Sequence, residues 1–154
     1  MIQLITTILA ITLRAGTSLV YATLGEIYTE NSGVLNLGLE GMMLLSAAGG
    51  FATAYYSNLV WLGFLVAMLV GGALAAVHAL LSVTMRANQV VSGLSITLFG
   101  SGLASFLGQR LGPVSNNQYL AGLIGPKLQA IPIPLLSKIP IIGVMFNQDV
   151  LTYV

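Results

Sequence analysis

Four long apolar stretches, separated by short polar segments, form the main pattern of this sequence. Each is close to the roughly 20 residues that a helix needs to cross a hydrocarbon layer about 30 Å thick. The third holds no Asp, Glu, Lys or Arg, so it predicts a membrane span most clearly. The stretches, which we expect to form four membrane-spanning helices, lie at residues 2–25, 34–57, 59–83 and 90–107.

Short polar segments mark the expected ends of these helices. Residues 28–33 (YTENSG) separate the first two stretches, and Asn58 makes a turn after the second. Before the fourth stretch, Arg86, Asn88 and Gln89 form a compact connector. Asn88 has the side chain of a helix N-cap, so the fourth helix is expected to begin directly after it.

A long segment with several prolines follows the fourth stretch. We expect residues 111–138 to form a loop outside the hydrocarbon, because unpaired backbone is not tolerated in lipid. Another apolar element begins at residue 139, but Pro140 and a polar run at residues 147–149 interrupt it. We interpret it as the start of a further span in a longer polypeptide. An extended interfacial tail is the alternative.

The composition agrees with a membrane location. The 154 residues are 56% hydrophobic and 6% charged, whereas soluble domains contain about 25% charged residues. So few charges do not cover the surface of a soluble fold, and lipid is therefore the expected solvent. The predicted fold class is all-α: a polytopic membrane protein of about four transmembrane helices plus the start of a further one. Residues 1–154 are expected to form a single transmembrane region.

Metal, nucleic-acid and catalytic chemistry find little support. The chain has no cysteine and one histidine, which excludes a metal cluster built from these residues. Its net charge of +1 and its scattered cations argue against nucleic acid. It contains no phosphate-binding GxxxxGKS or GxxxxGKT loop, no HExxH and no GxSxG, so we expect no catalytic residues and no metal site.

Two of the predicted helices carry distinctive faces. Small side chains four residues apart allow helix backbones to approach closely in lipid, and the third helix has such a row at Gly63, Ala67, Gly71, Ala75 and Ala79. A polar row on the fourth helix consists of Thr97, Ser101, Ser105 and Gln109. This polar row either lines a water-filled pathway or bonds to helix backbones, and the pattern does not separate the two.

Three ordered segments carry a family resemblance: RAGTSLVYATLGEIYTENSG at residues 14–33, GVLNLGLEGMMLL at residues 33–45, and RANQVVSGLSITLFGSGLASFLG at residues 86–108. The second places a helix breaker, Asn36 and Glu40 where the membrane interior should begin. With these segments the chain resembles the permease subunit of bacterial and archaeal ABC importers for nucleosides and simple sugars, in the branched-chain amino acid and ribose-type permease superfamily. The resemblance extends over essentially the whole chain and corresponds to the N-terminal half of such a permease.

This resemblance implies a multi-pass protein of the cell membrane that moves a nucleoside or simple sugar by alternating access. The implied partners are a second permease subunit, a cytoplasmic ABC ATPase, and a substrate-binding lipoprotein or periplasmic protein. ATP and Mg are expected on the ATPase, with no cofactor in this chain. The resemblance also places the Arg86 connector in the cytoplasm, although the positions of Lys and Arg favour the reverse. The alternative hypothesis is a small helical scaffold or assembly subunit of the membrane.

Polar residues near the predicted breaks are the candidate functional residues, because transporters place binding sites at broken helices. The candidate substrate-path residues are Asn36, Glu40, Gln89, Ser92, Thr97 and Ser101, and the structural or ion-pair candidates are Arg14, Glu26 and Asn88. For Glu40, stabilisation of its own helix and pairing with Arg14 are favoured over contact with substrate. For Asn36, capping and substrate contact are equally open. His78 is expected to be buried and hydrogen-bonded.

Overall fold

The structure, a computed structural model, describes residues 1–112, 119–134 and 142–153. These ranges contain five α-helices, which are α1 (Ile2–Asn31), α2 (Leu39–Ser57), α3 (Val60–Ala79), α4 (Gln89–Arg110) and α5 (Val150–Tyr153). Two short strands, β1 (Ile131–Pro132) and β2 (Asn147–Gln148), pair antiparallel. Short 3-10 turns lie at Leu120–Gly122 and Ile142–Phe146. The described part of the predicted loop thus contains one such turn and β1, and residues 139–141, where a further element was expected to begin, lie outside the described residues.

Three of the described helices are long and apolar enough to cross a membrane, namely Gln3–Asn31, Val60–Thr84 and Gln89–Arg110. They correspond to the first, third and fourth predicted spans. The helix in place of the second span, α2, has 19 residues and is not among these three. The prediction of an all-α, polytopic membrane protein is confirmed, with three rather than four described helices that are apolar enough to span.

The ends of the first two helices differ from the predicted ones. α1 continues to Asn31, beyond the predicted end at residue 25. It stops where Gly33 adopts a φ of 81°, a left-handed conformation that costs glycine little and commonly ends helices. α2 begins at Leu39 instead of residue 34. The predicted start of α2 was wrong because backbone groups of Leu35, Asn36 and Leu37 bond to side chains of α1, α3 and α4.

The connection from α3 to α4 begins with a π-helical turn at Leu80–Thr84. The amide of Met85 donates to the carbonyl of Leu80, five residues earlier, at 2.9 Å. π-helical turns are rare, and they occur frequently at functional sites. Asn88 is the N-cap residue of α4, since its Oδ1 accepts hydrogen bonds from the Val90 and Val91 amides at 3.0 and 3.2 Å.

The chain divides into two compact units. The first consists of Met1–Gly25 and Lys127–Val154, and the second of Glu26–Pro126. In the second unit α2 packs on both α3 and α4. The buried hydrophobic side chains of α2 are Met42, Leu45, Ala52 and Ala54, and α4 contributes Ile96. α2 is therefore the central helix of the second unit.

The small residues of α3 face α2. A β-carbon placed on Gly63 would lie 2.5 Å from the Gly50 carbonyl oxygen and 2.6 Å from the Ala54 Cβ. One placed on Gly71 would lie 2.8 Å from the Ser46 Oγ. Helices in lipid associate through such close van der Waals contact, because no hydrophobic force drives them together. The row of small residues on α3 is therefore a packing face for α2 at these positions.

The first unit contains a buried polar residue, Gln148, which is 1% exposed. Its Oε1 accepts a hydrogen bond from Arg14 Nε at 3.4 Å, and its Nε2 donates to the Val144 carbonyl at 2.8 Å. Its backbone amide donates to the Tyr153 hydroxyl at 3.0 Å. Arg14 thus has a polar partner in the middle of an apolar helix. Its pairing with Glu40, which belongs to the second unit, stays a prediction.

Candidate functional site

Residues 33–38, called the break below, connect α1 to α2 without forming a helix. A helix supplies partners to its own backbone groups, whereas non-helical backbone must find them elsewhere. Two of these bonds are local. Val34 N donates to the Thr29 carbonyl at 3.0 Å, and Gly38 N donates to Asn36 Oδ1 at 3.1 Å. Several others come from side chains of α1, α3 and α4.

Gln89, the first residue of α4, bonds to the break twice. Its Oε1 accepts from the Leu35 amide at 2.8 Å, and its Nε2 donates to the Gly33 carbonyl at 3.2 Å. A side-chain amide carries the same donor and acceptor as a peptide group. Gln89 therefore takes the place of a neighbouring backbone segment for this part of the break.

His78, near the end of α3, also bonds to the break. The imidazole Nε2 lies 3.2 Å from the Leu35 carbonyl oxygen, and Nδ1 lies 3.1 Å from Ser92 Oγ on α4. His78 is 3% exposed and Ser92 is 6% exposed. The two side chains thus join α3, the break and α4 in one buried hydrogen-bonded group.

Two further side chains complete the bonding of the break. Glu26 Oε1 on α1 accepts from the Asn36 amide at 3.1 Å, and Thr97 Oγ1 on α4 donates to the Leu37 carbonyl at 2.7 Å. The other carboxylate oxygen of Glu26 is buried and has no hydrogen-bond partner among the described residues. Asn36 itself is buried. Polar side chains from α1, α3 and α4 therefore hold the break in a defined conformation.

Glycines let the break and α2 approach the backbone of α4. A β-carbon on Gly93 would lie 2.8 Å from the Leu37 amide nitrogen, and one on Gly41 would lie 2.6 Å from the Thr97 Cα. One on Gly100 would lie 2.8 Å from the Gly41 Cα. Because these neighbours are backbone atoms, they have little freedom to move aside. The N-terminal half of α4 is thus packed directly against the break and the start of α2.

The C-terminal half of α4 faces an open cavity of about 900 Å³. α4 contributes the polar side chains of Ser101, Ser105 and Gln109 to its lining, while α2 contributes Phe51 and the segment after α4 contributes Tyr119. Neither Ser105 nor Gln109 forms a side-chain hydrogen bond with the described residues. The cavity therefore combines free polar groups with aromatic surface, as in many sites for small ligands.

Most of the predicted substrate-path residues meet at the break rather than in the cavity. Gln89 and Thr97 bond directly to its backbone, Asn36 belongs to it, and Ser92 bonds to His78. Ser101 lines the cavity, and Glu40 is exposed in the first turn of α2. The roles assigned to these residues in transport stay predictions.

The candidate residues named from the sequence did not include Ser105, Gln109 and Phe51, which line the cavity. Ser105 and Gln109 belong to the polar row on α4, and their spacing of four residues was the signal that pointed to a pathway. Phe51 had no such signal, because aromatic residues in an apolar helix are ordinary. A β-carbon on Gly125 would lie 2.8 Å from Phe51 Cε2, so the backbone after α4 packs on this ring.

No group of three or more His, Asp or Glu side chains is arranged to hold a metal ion in the parts of the chain that the structure describes. The assignment of ATP and Mg to a partner ATPase stays a prediction.

Comparison with known proteins supplies the family. The family described as "Branched-chain amino acid transport system / permease component" matches residues 8–136. The chain is 30% identical over 156 aligned positions to the guanosine ABC transporter permease protein of Bacillus subtilis, which covers 97% of this chain and 47% of that protein. It is 31% identical over 139 positions to the nucleoside ABC transporter permease protein of Lactococcus lactis, with coverages of 84% and 41%.

A third relative is a putative glucose ABC transporter permease protein of Haloferax volcanii, 52% identical over 97 positions, which cover 63% of this chain and 30% of that protein. The chain therefore spans less than half the length of these curated relatives. No solved structure matches it significantly. The family match covers most of the chain, and three of its described helices are apolar enough to span a membrane. The chain accordingly belongs to the branched-chain amino acid transport system permease family, as a multi-pass protein of the cell membrane.

Proposed function

We propose that this chain is the N-terminal part of the permease of an ABC importer, and that the importer moves a nucleoside or a related small polar solute such as a simple sugar. Transport proceeds by alternating access, in which the permease opens to one side of the membrane at a time. A second permease subunit completes the pathway. A cytoplasmic ABC ATPase binds ATP and Mg and hydrolyses the ATP, and a lipoprotein or periplasmic protein delivers the solute.

The observation that carries this proposal is the cavity beside α4. Its volume of about 900 Å³ lies within the range of roughly 300–1,000 Å³ that is usual for small-ligand sites. The hydroxyl of Ser105 and the amide of Gln109 offer donors and acceptors for the hydroxyl groups of a ribose or hexose. The hydroxyl of Ser101 donates to the Leu98 carbonyl and offers an acceptor. Phe51 and Tyr119 offer aromatic faces on which a nucleobase stacks. The names of the two bacterial relatives support a nucleoside, and the name of the archaeal relative supports a sugar.

Uptake of radiolabelled guanosine, uridine and glucose by cells that express the complete permease with its operon partners tests the proposal. Substitution of Ser105→Leu fills the cavity with an apolar group and removes a hydroxyl. We expect uptake of the transported solute to fall by about tenfold, which corresponds to roughly 1.4 kcal/mol. The matched control is Ser95→Leu on the same helix, because Ser95 is exposed, lies outside the cavity lining and bonds to the Val91 carbonyl of its own helix.

Two results would contradict the proposal. Uptake that is the same with and without the permease argues against transport of these solutes. Equal uptake by the Ser105→Leu and Ser95→Leu variants, at equal amounts of protein in the membrane, removes the cavity from the pathway.

A further inference from the structure

Hinges of conformational change are usually loop or element-terminal residues, but the break of this chain is bonded to its neighbours along most of its length. Leu35 uses both of its backbone groups, one toward Gln89 and the other toward His78. Gly33 and Leu37 use their carbonyls toward Gln89 and Thr97. Any displacement of the break relative to α4 breaks several of these hydrogen bonds at once and leaves the buried imidazole of His78 without its Leu35 partner.

Steric contact restricts the same movement. The approach of the Gly93 backbone to Leu37, and of the Gly41 backbone to Thr97, leaves no room for an added β-carbon. Two backbones in such close contact must separate before one slides along the other, because protein interiors are close-packed. Hydrogen bonds and packing therefore act in the same direction on the break and the N-terminal half of α4.

The π-helical turn and the connector lie between two residues that both bond to the break. His78 precedes this connection and Gln89 follows it, and Ser82 in the π-helical turn donates to the His78 carbonyl at 2.6 Å. A movement of the connector is therefore transmitted to the break through His78 at one end of the connector and Gln89 at the other.

We infer that Gln89 and His78 are positioning residues for transport, which fix the break to α4 so that the end of α3, the break and the N-terminal half of α4 move as one rigid body. This inference rests on the proposed function. It assigns the conformational change of transport to surfaces outside this body, whereas a flexible break would place the change within it. Neither Gln89 nor His78 lines the cavity, so their effect on solute is indirect.

A disulfide between the break and α4 tests the rigid body, and the 154 residues of this sequence contribute no native cysteine that competes with the engineered pair. A β-carbon on Gly38 would lie 3.2 Å from the Ile96 Cβ, a few tenths of an ångström below the roughly 3.5–4.5 Å of disulfides. In the complete transporter with Gly38→Cys and Ile96→Cys, we expect oxidation to form the crosslink and to leave uptake at its value before oxidation. Loss of uptake on oxidation, with recovery on reduction, would show that the break moves relative to α4 and would overturn the inference.

Gln89→Met tests the positioning role, because methionine has a similar length but has no hydrogen-bond donor and accepts only weakly. We expect the maximal uptake rate per permease molecule to fall roughly tenfold from the loss of two hydrogen bonds, with the KM for solute unchanged. The matched control is Gln129→Met, since Gln129 is exposed and its side chain forms no hydrogen bond with the described residues. A purely structural role would lower the amount of permease and leave the rate per molecule unchanged.

Combining the two tests gives a rescue. The crosslink replaces the bonds that Gln89→Met removes, so oxidation of the triple variant is expected to restore its uptake rate. An unrestored rate contradicts the positioning role.

If the cysteine variants do not assemble, hydrogen exchange of residues 33–38 is measured in the Gln89→Met transporter. Faster exchange than in the Gln129→Met control supports the inference and equal exchange contradicts it. Because exchange does not require uptake, a failure of the proposed function remains distinguishable from a failure of this inference.

Discussion

The imidazole Nδ1 of His78 and the hydroxyl oxygen of Ser92 lie 3.1 Å apart and join α3 to α4. The other ring nitrogen, Nε2, faces the Leu35 carbonyl at 3.2 Å. A carbonyl only accepts hydrogen bonds, so Nε2 carries a proton. In the neutral ring Nδ1 is then the acceptor and Ser92 the donor, which completes a chain of hydrogen bonds from α4 through α3 to the break.

Ser92→Ala removes the donor to His78 and leaves a buried ring nitrogen without its partner. We expect the free energy of unfolding to fall by about 1–3 kcal/mol, measured by thermal unfolding of the purified permease in detergent. Ser95→Ala on the same helix is the control, since Ser95 is exposed and bonds to its own helix; its effect should stay within about 0.5 kcal/mol. Equal midpoints for the two variants would show that the His78 bond contributes nothing to stability.

The glycines of α4 are expected to differ sharply in their tolerance of alanine. Gly100→Ala places a methyl group against the Gly41 backbone on α2, and overpacking of this kind costs about 1–3 kcal/mol. Gly102→Ala places the same group where no heavy atom beyond the backbone of its own helix and its chain neighbours lies within 4 Å, so helix propensity should stabilise the protein by roughly 0.5–1 kcal/mol. Thermal midpoints that fall for the first and rise for the second are the expected result. A rise for Gly100→Ala would show that α2 and α4 are farther apart.

Engineered cysteines test the packing of α3 on α2. A β-carbon on Gly71 would lie 3.9 Å from the Ser46 Cβ, within the roughly 3.5–4.5 Å of disulfides. Ser46→Cys with Gly71→Cys is therefore expected to crosslink under mild oxidation, detected by mass spectrometry of peptides from the purified protein. Gly72 is the control partner for Ser46→Cys, because a β-carbon there has no neighbour within 4 Å. Equal crosslinking of both pairs would mean that α3 rotates freely against α2.

The cap of α4 predicts a graded response at Asn88. Asn88→Ala removes the acceptor for the Val90 and Val91 amides and is expected to lower the free energy of unfolding by about 1 kcal/mol. Asn88→Asp retains a side-chain oxygen at the helix N-terminus and should keep most of this stability. Thermal unfolding of both variants is the measurement, and equal losses would show that the cap is not the cause.

Local features of this chain were readable from the residues. Stretches of about 20 apolar residues have few alternatives to a membrane helix, because a helix alone satisfies its own backbone in lipid. The Asn88 cap depends on residues two and three positions away, and such short-range chemistry is visible in a sequence pattern. The small residues of α3 predicted a packing face for the same reason, although they did not say which helix would lie against it.

The partners of the polar side chains were decided by the tertiary structure. Gln89 bonds to residues 54 and 56 positions away, and His78 to one 43 positions away. No local pattern specifies such pairs, since they exist only after α2, α3 and α4 have packed. For the same reason the sequence suggested a helix from residue 34, where the folded chain keeps the break. The sequence alone determined that this protein lies in the membrane as helices, because hydropathy acts residue by residue. The tertiary structure alone decided that its polar residues hold a break and line a cavity, because hydrogen bonds require two groups to meet in space.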